Sequence, residues 1–201
     1  MTARLVLASH NQHKLAELRE ILVPLVPGLV PEDIVSAADL ALAEPAETGL
    51  TFSDNALLKA RAACRAAGIV AIADDSGLSV DILGGCPGIF SARWAGGGGD
   101  KANLELLLAQ LADIAPPHRG AQFVCAAALV HPDGREHVEL GQVRGQLLTA
   151  PRGTGGFGYD PLFLPTGHQR TTAEMSPAEK NALSHRGRAL RALAATVQAW
   201  L

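Results

Sequence analysis

Six polar residues, Ser9-His10-Asn11-Gln12-His13-Lys14, follow the apolar run at residues 5–8 and lead into a helical pattern that begins at Gln12. A strand end that feeds a helix N-terminus presents backbone N–H groups at the positive end of the helix dipole, which suits an anion. Ser9 and Asn11 add side-chain donors, and Lys14 adds a full charge at first-turn reach. The alternative is that Ser9 or Asn11 caps the helix and Lys14 is solvated. His10 and His13 lack a third ligand and do not read as a metal pair.

Asp74-Asp75-Ser76 closes another apolar run, at residues 69–73. Adjacent carboxylates at the end of a buried strand are costly unless something positive compensates them. A hard cation such as Mg2+ does so, taking one or two carboxylates together with phosphate oxygens and waters. Glu47, in Glu47-Thr48-Gly49, is a candidate second acid for that ion. An ordinary Asp-Ser-Gly turn is the competing account.

Two later stretches also carry chemistry. In Gly153-Thr154-Gly155-Gly156-Phe157-Gly158-Tyr159-Asp160 the glycines let the backbone pass close to a flat ligand, and Phe157 offers a stacking face. The loop has neither the P-loop ending nor the dinucleotide-fold order of glycines, and a wide turn around one buried Phe explains it equally well. In Ser176-Pro177-Ala178-Glu179-Lys180, a cap, a first-position proline and a Glu three residues after the cap make a strong helix start. One unbroken helix would turn His185 about 140° and Arg186 about 240° away from Lys180. A break near Ser184 is therefore predicted, with Ser184 capping a second helix that carries His185 and Arg186 in its first turn. A single surface helix with solvated charges is the alternative.

The elements that must position these residues are legible in outline. Apolar residues at 15, 18, 21 and 22 follow helical spacing until Pro24, and residues 27–50 read as loop with one strand near Ile34. Thr51 and Asp54 have capping-box spacing before a helix that Gly68 ends. Residues 69–73 and 79–83 read as two separate strands, and residues 100–111 as a helix. Residues 122–131 and 136–148 form a hairpin across Pro132-Asp133-Gly134, residues 162–164 a short strand, and the C-terminus is helical from Pro177. Helices that alternate with strands and then give way to a hairpin imply an α/β fold with a mixed sheet.

Composition narrows the function. With 201 residues, 48% of them hydrophobic and 18% charged, the chain is globular and reads as one domain, 1–201. A net charge of −3 disfavours nucleic acid as a partner, while a small anionic substrate needs only a local cluster of cations. Cys64, Cys86 and Cys125 are far apart and form no CxxC pair, so neither a disulfide nor a zinc site is expected. No apolar run is long enough to span a membrane and no signal peptide is evident, which makes the expected location cytoplasmic.

Taken together, SHNQHK, ETGLTFSDNALLKA, ADDSGL, GGCPGIFSARWAG, GTGGFGYDP and AEKNALSHRGRA occur in an order that resembles the inosine triphosphate pyrophosphatase family, the bacterial dITP/XTP pyrophosphatases. The likeness runs from about residue 4 to 198. It implies an elongated α/β fold with a mixed sheet, flanking helices and two lobes around a deep substrate cleft, assembled as a homodimer. It implies Mg2+-dependent hydrolysis of dITP, ITP and XTP to the monophosphate and pyrophosphate, which keeps hypoxanthine and xanthine out of nucleic acid. By the same resemblance, residues 9–14 (Ser9, His10, Asn11, Gln12, His13 and Lys14) bind phosphate. Asp75 is proton acceptor and magnesium ligand, Glu47 a second magnesium-associated acid, and Ser76 adjoins the substrate. Phe157, Gly158, Tyr159 and Asp160 pack against the base, and Lys180, His185 and Arg186 read the purine. His10 stands where many relatives carry Gly. A nucleotide-binding module without turnover and a pyrophosphatase for modified pyrimidine nucleotides are the competing functions.

Overall fold

The computed structural model describes residues 3–201, and the chain divides into two compact units. The first takes the N-terminal part through Asp75 together with Cys125–Gly141 and Arg186–Leu201, and the second takes Ser76–Val124 and Gln142–His185. Six strands, β1 (Leu5–Leu7), β2 (Ile34–Ser36), β3 (Val70–Val80), β4 (Gly120–Val130), β5 (Glu136–Leu147) and β6 (Phe163–Pro165), form one mixed sheet. Its order is β2-β1-β3-β4-β5-β6. β1 runs parallel to both β2 and β3, with Leu5 opposite Ile34 and Val70, and β6 is antiparallel to β5. Five helices accompany the strands: α1 (Gln12–Leu22), α2 (Phe52–Ala67), α3 (Gly99–Gln110), α4 (Pro177–Leu183) and α5 (His185–Trp200). No described helix is long and apolar enough to cross a membrane.

In the first unit the strands alternate cleanly between two cores. Leu5, Leu7, Val70, Ile72, Cys125, Ala127 and Leu129 pack against Leu15, Leu18 and Leu22 of α1 and against Leu190, Leu193 and Val197 of α5. The intervening residues, Val6, Ala8, Ala71, Ala73, Ala126 and Ala128, pack against Ala56, Ala60, Ala63 and Cys64 of α2. This is the period-two alternation of a sheet covered on both faces. The second face is almost wholly alanine, so α2 can lie close to the sheet without leaving voids. Cys64 and Cys125 are buried core residues. In the second unit, Leu104, Leu107 and Leu111 cover Leu78, Val80, Ala121, Val143, Leu147, Leu162 and Phe163.

Local signals mostly held. Thr51 caps α2 reciprocally with Asp54, and Gly68 ends it in the left-handed conformation at φ +70°. The helical C-terminus does break at Ser184, between α4 and α5. One expectation fails. Residues 69–73 and 79–83 are not two strands parted by a turn: β3 runs unbroken from Val70 to Val80, and residues 81–83 form a short 3-10 turn. Gly77 therefore serves close approach and not a turn. A Cβ there would meet Ser91 and would lie 2.6 Å from the Gly88 carbonyl oxygen, which is the usual meaning of a glycine inside a strand.

Candidate active site

The turn from β1 into α1 is tightly bonded. Asn11 caps the helix, its Oδ1 accepting from the amides of His13 at 2.9 Å and Lys14 at 3.3 Å. Ser9 Oγ accepts from the Asn11 amide at 3.1 Å, and the His10 amide donates to Glu44 at 3.1 Å. The amides of His10, Asn11, His13 and Lys14 thus all have acceptors within the protein. The His10 ring lies against the 42–44 segment, with Nε2 2.7 Å from the Leu42 carbonyl oxygen. Gln12 reaches Ser36 Oγ at 3.4 Å, and His13 is exposed.

Because β3 continues through Asp74 and Asp75, the two carboxylates leave the strand on opposite faces. Asp74 continues the row of Val70 and Ile72 toward α1 and α5. There it accepts from Lys14 Nζ at 3.0 and 3.1 Å and from Arg186 Nε at 3.0 Å. Arg186 also donates to Glu17 at 3.0 Å. Asp75 continues the row of Ala71 and Ala73 toward α2, where Asn55 Nδ2 donates to it at 3.0 Å and Lys59 Nζ lies 3.8 Å away. Lys59 is shared with Glu47, at 2.6 Å. Lys14 is thus the i+3 residue from its own cap, and Asn55 and Lys59 are an i,i+4 pair on one face of α2.

The neighbouring charges hold Asp74, Arg186 and Lys59 ionised. Burial pushes the Asp74 carboxyl up, but Arg186, Lys14 and Lys59 together hold it far below the usual carboxylate range. Burial works against the charge on Arg186 as well, and Asp74 and Glu17 override it. Lys59 is desolvated, yet Glu47, Asp75 and Asp74 keep its ammonium above the ordinary lysine value. Two carboxylates that converge on one ammonium also mark a place with the charge and oxygen donors for a cation. Among the described residues no group of three or more His, Cys, Asp or Glu side chains surrounds a metal position. The Asp75 and Glu47 carboxylates are oxygen donors of the type a hard cation takes.

In the second unit, the glycine-rich loop presents Phe157 with its side chain outward, 68% exposed. Lys180 Nζ sits 4.4 Å from the ring centroid and is paired with Asp160. Asp160 itself is buried. It accepts from the Phe157 amide at 2.8 Å and from Thr172 Oγ1 at 2.8 Å. Tyr159 lies in the core, its hydroxyl donating to the Ser91 carbonyl at 2.9 Å, and burial pushes that phenol up. The Gly158 amide donates to Asp100 at 2.8 Å. His185 stacks on Phe123, centroids 5.1 Å apart, and Ser76 is half-buried.

The structure thus gathers Lys14 and Arg186 on Asp74, and Glu47 and Asp75 on Lys59, at the two faces of β3 in the first unit, and Phe157, Gly158, Asp160 and Lys180 into one loop-and-helix cluster in the second. It adds Glu17, Asn55, Lys59 and Asp100, to which the sequence reading gave no role, and it compensates Asp74 with Lys14 and Arg186. The spacing of Asn55 and Lys59 was a usable signal once α2 had been placed. Glu17 and Asp100 are recognisable only through their tertiary partners.

Residues 5–196 match the sequence model of the Ham1 family. The chain is 59% identical over 197 residues to a dITP/XTP pyrophosphatase of Streptomyces coelicolor, with 97% of each chain covered. It is 57% identical over 196 residues to that of Streptomyces avermitilis, again covering 97% of each. Among solved structures, a HAM1 protein from Coxiella burnetii superposes with a TM-score of 0.88 at 39% identity, covering 98% of this chain and 100% of that one. A nucleoside-triphosphatase/dITP/XTP pyrophosphatase from Mycobacterium abscessus gives 0.78 at 50% identity, covering 94% and 98%. A match over almost the whole length, in sequence and in backbone alike, makes this chain a member of the Ham1 family.

Proposed function

We propose that this protein hydrolyses deaminated purine nucleoside triphosphates (dITP, ITP and XTP) to the monophosphate and pyrophosphate, and so clears them from the nucleotide pool. The observation that carries the reading is the division of labour on β3. Asp74 is neutralised by two cations of α1 and α5, while its neighbour Asp75 is oriented on the other face by Asn55 and shares Lys59 with Glu47.

In this reading Asp75 holds the attacking water and takes its proton as the water oxygen bonds to the α-phosphorus. The bond from that phosphorus to the bridging oxygen breaks, and the electron pair leaves with pyrophosphate. Asn55 keeps the Asp75 carboxylate in one rotamer, so the base is aimed before substrate arrives. Lys14 meets the phosphate charge, supported by the amides of residues 9–14 once they exchange away from their internal acceptors. Asp75 and Glu47 are the residues that would hold Mg2+, which when bound neutralises charge that builds on the phosphate oxygens. Phe157 stacks on the base, worth about 1–3 kcal/mol whatever its identity. Donors from His185 and Arg186 suit a 6-oxo acceptor and leave the 6-amino donor of adenine unpaired, a penalty of about 1–3 kcal/mol. The family resemblance supports a cytoplasmic homodimer, and light scattering in solution tests the oligomeric state.

Pyrophosphate release from ITP, XTP, dUTP and GTP with Mg2+ tests the function. ITP and XTP are the expected substrates, and Asp75→Asn should abolish their turnover. Preferential hydrolysis of dUTP, or binding of ITP with no release, overturns it.

A further inference from the structure

Phe157 is poorly held by packing, since most of its ring faces solvent. Apart from the Lys180 ammonium 4.4 Å from the ring centroid, its aim comes from the backbone, which is pinned on both sides of it. The peptide plane before its Cα donates through the Phe157 amide to Asp160 at 2.8 Å. The plane after it donates through the Gly158 amide to Asp100, also at 2.8 Å. One bond restrains φ and the other ψ, the two soft dihedrals a residue has. Gly158 itself sits at φ +59°, a left-handed conformation that favours glycine.

Asp100 is well placed to act as a fixed post. It lies in the first turn of α3, where a carboxylate is favoured by the helix dipole. The preceding segment is tied to that helix by buried Asn103, which accepts from the Ala95 amide at 2.7 Å and donates to the Ala92 carbonyl at 3.1 Å. Just past the loop, Tyr159 is anchored at the Ser91 carbonyl on the same segment. The chain is therefore fastened at two successive residues just after Phe157, Gly158 to Asp100 of α3 and Tyr159 to Ser91 of the segment before it, while the Phe157 ring stays exposed.

We propose that Asp100 is a positioning residue for base recognition: through the Gly158 amide it fixes the backbone dihedral that aims Phe157. This rests on the reading of Phe157 as the base-stacking residue. Loss of Asp100 leaves the ring to search, and the ordering cost appears in binding and not in the chemical step.

The test is a double-mutant cycle on the Mg2+-loaded full-length enzyme with ITP, measuring KM, kcat and melting temperature. Asp100→Ala should raise KM by about three- to tenfold with kcat changed less than about twofold, the scale of one lost charge-assisted hydrogen bond. Asp100→Asn, which keeps an acceptor oxygen, should recover most of the loss. In a Phe157→Ala background, Asp100→Ala should change KM by less than about twofold, because no ring is left to aim. An equal KM penalty in both backgrounds, a loss confined to kcat, or no effect in the parent enzyme overturns the proposal. An unchanged KM for Phe157→Ala alone overturns it too, by removing the stacking role on which it rests.

Discussion

Asp74 and Asp75 are adjacent in sequence and face opposite sides of one strand, Asp74 toward Lys14 and Arg186 and Asp75 toward Asn55 and Lys59. The same residue type therefore sits in two environments, one crowded by guanidinium and ammonium groups, the other oriented by an amide and sharing an ammonium with Glu47. That separation leads directly to different expected phenotypes.

Asp75→Asn should fold normally and lose pyrophosphate release by at least about a hundredfold, the usual scale for a lost general base. Asp74→Asn should instead lower stability, because it leaves two part-buried cations short of a counter-ion. Breaking such a pair costs on the order of 3 kcal/mol, or roughly 10 °C of melting temperature in a chain of this size. Melting curves and activity measured on both variants check the contrast. Equal melting losses would show that the two acids are not separated in role.

Acid should reveal the same asymmetry. The folded Asp74 carboxyl is held far below its ordinary value of 3.8, so its contribution is fully present above about pH 4–5 and is lost as pH falls toward the depressed value. The melting temperature should thus fall more steeply below pH 4 in the parent protein than in Asp74→Asn. Parallel acid limbs for the two proteins would remove Asp74 from the account.

Lys59→Met removes the ammonium that Glu47 and Asp75 share. The two carboxylates then lack a common cation, and stability should drop by roughly 1–3 kcal/mol. Added Mg2+ should restore part of that loss in the variant while changing the parent less. Calorimetric melting with and without the ion provides the readout independently of turnover.

Gly156 has φ +71°, and a Cβ there would run into the Asp160 carboxylate. Gly156→Ala should displace the Phe157 loop, at about 1–3 kcal/mol of strain. The expected result is a raised KM for ITP with a small change in melting temperature. A kcat loss at unchanged KM would place the loop in the chemical step.

Sequence signals were reliable where the information is local. Asn11 at the start of α1, the Thr51–Asp54 box, Gly68, and the interruption at Ser184 are all set by residues within a few positions of each other. Strand β3 was misread for the opposite reason. Asp74-Asp75-Ser76-Gly77 has turn chemistry in isolation, and what keeps it extended is supplied from far along the chain: Lys14 and Arg186 on one side, Asn55 and Lys59 on the other, and Ser91 crowding Gly77. Asp100 was invisible as a site residue because the partner that marks it is a backbone amide 58 residues away.

The alternating faces of β3 also make the strand a parity device. Moving its frame by one position, through insertion or loss of a single residue before Asp74, would send each acid to the other's helix and the valine and isoleucine of one core into the alanine layer of the other. Length variation in this part of the chain must therefore be absorbed outside the strand, and among substitutions the two acids cannot be exchanged for one another by a slip. The chemistry at Asp75 is written into an odd-numbered rung, and the rung count has to be kept.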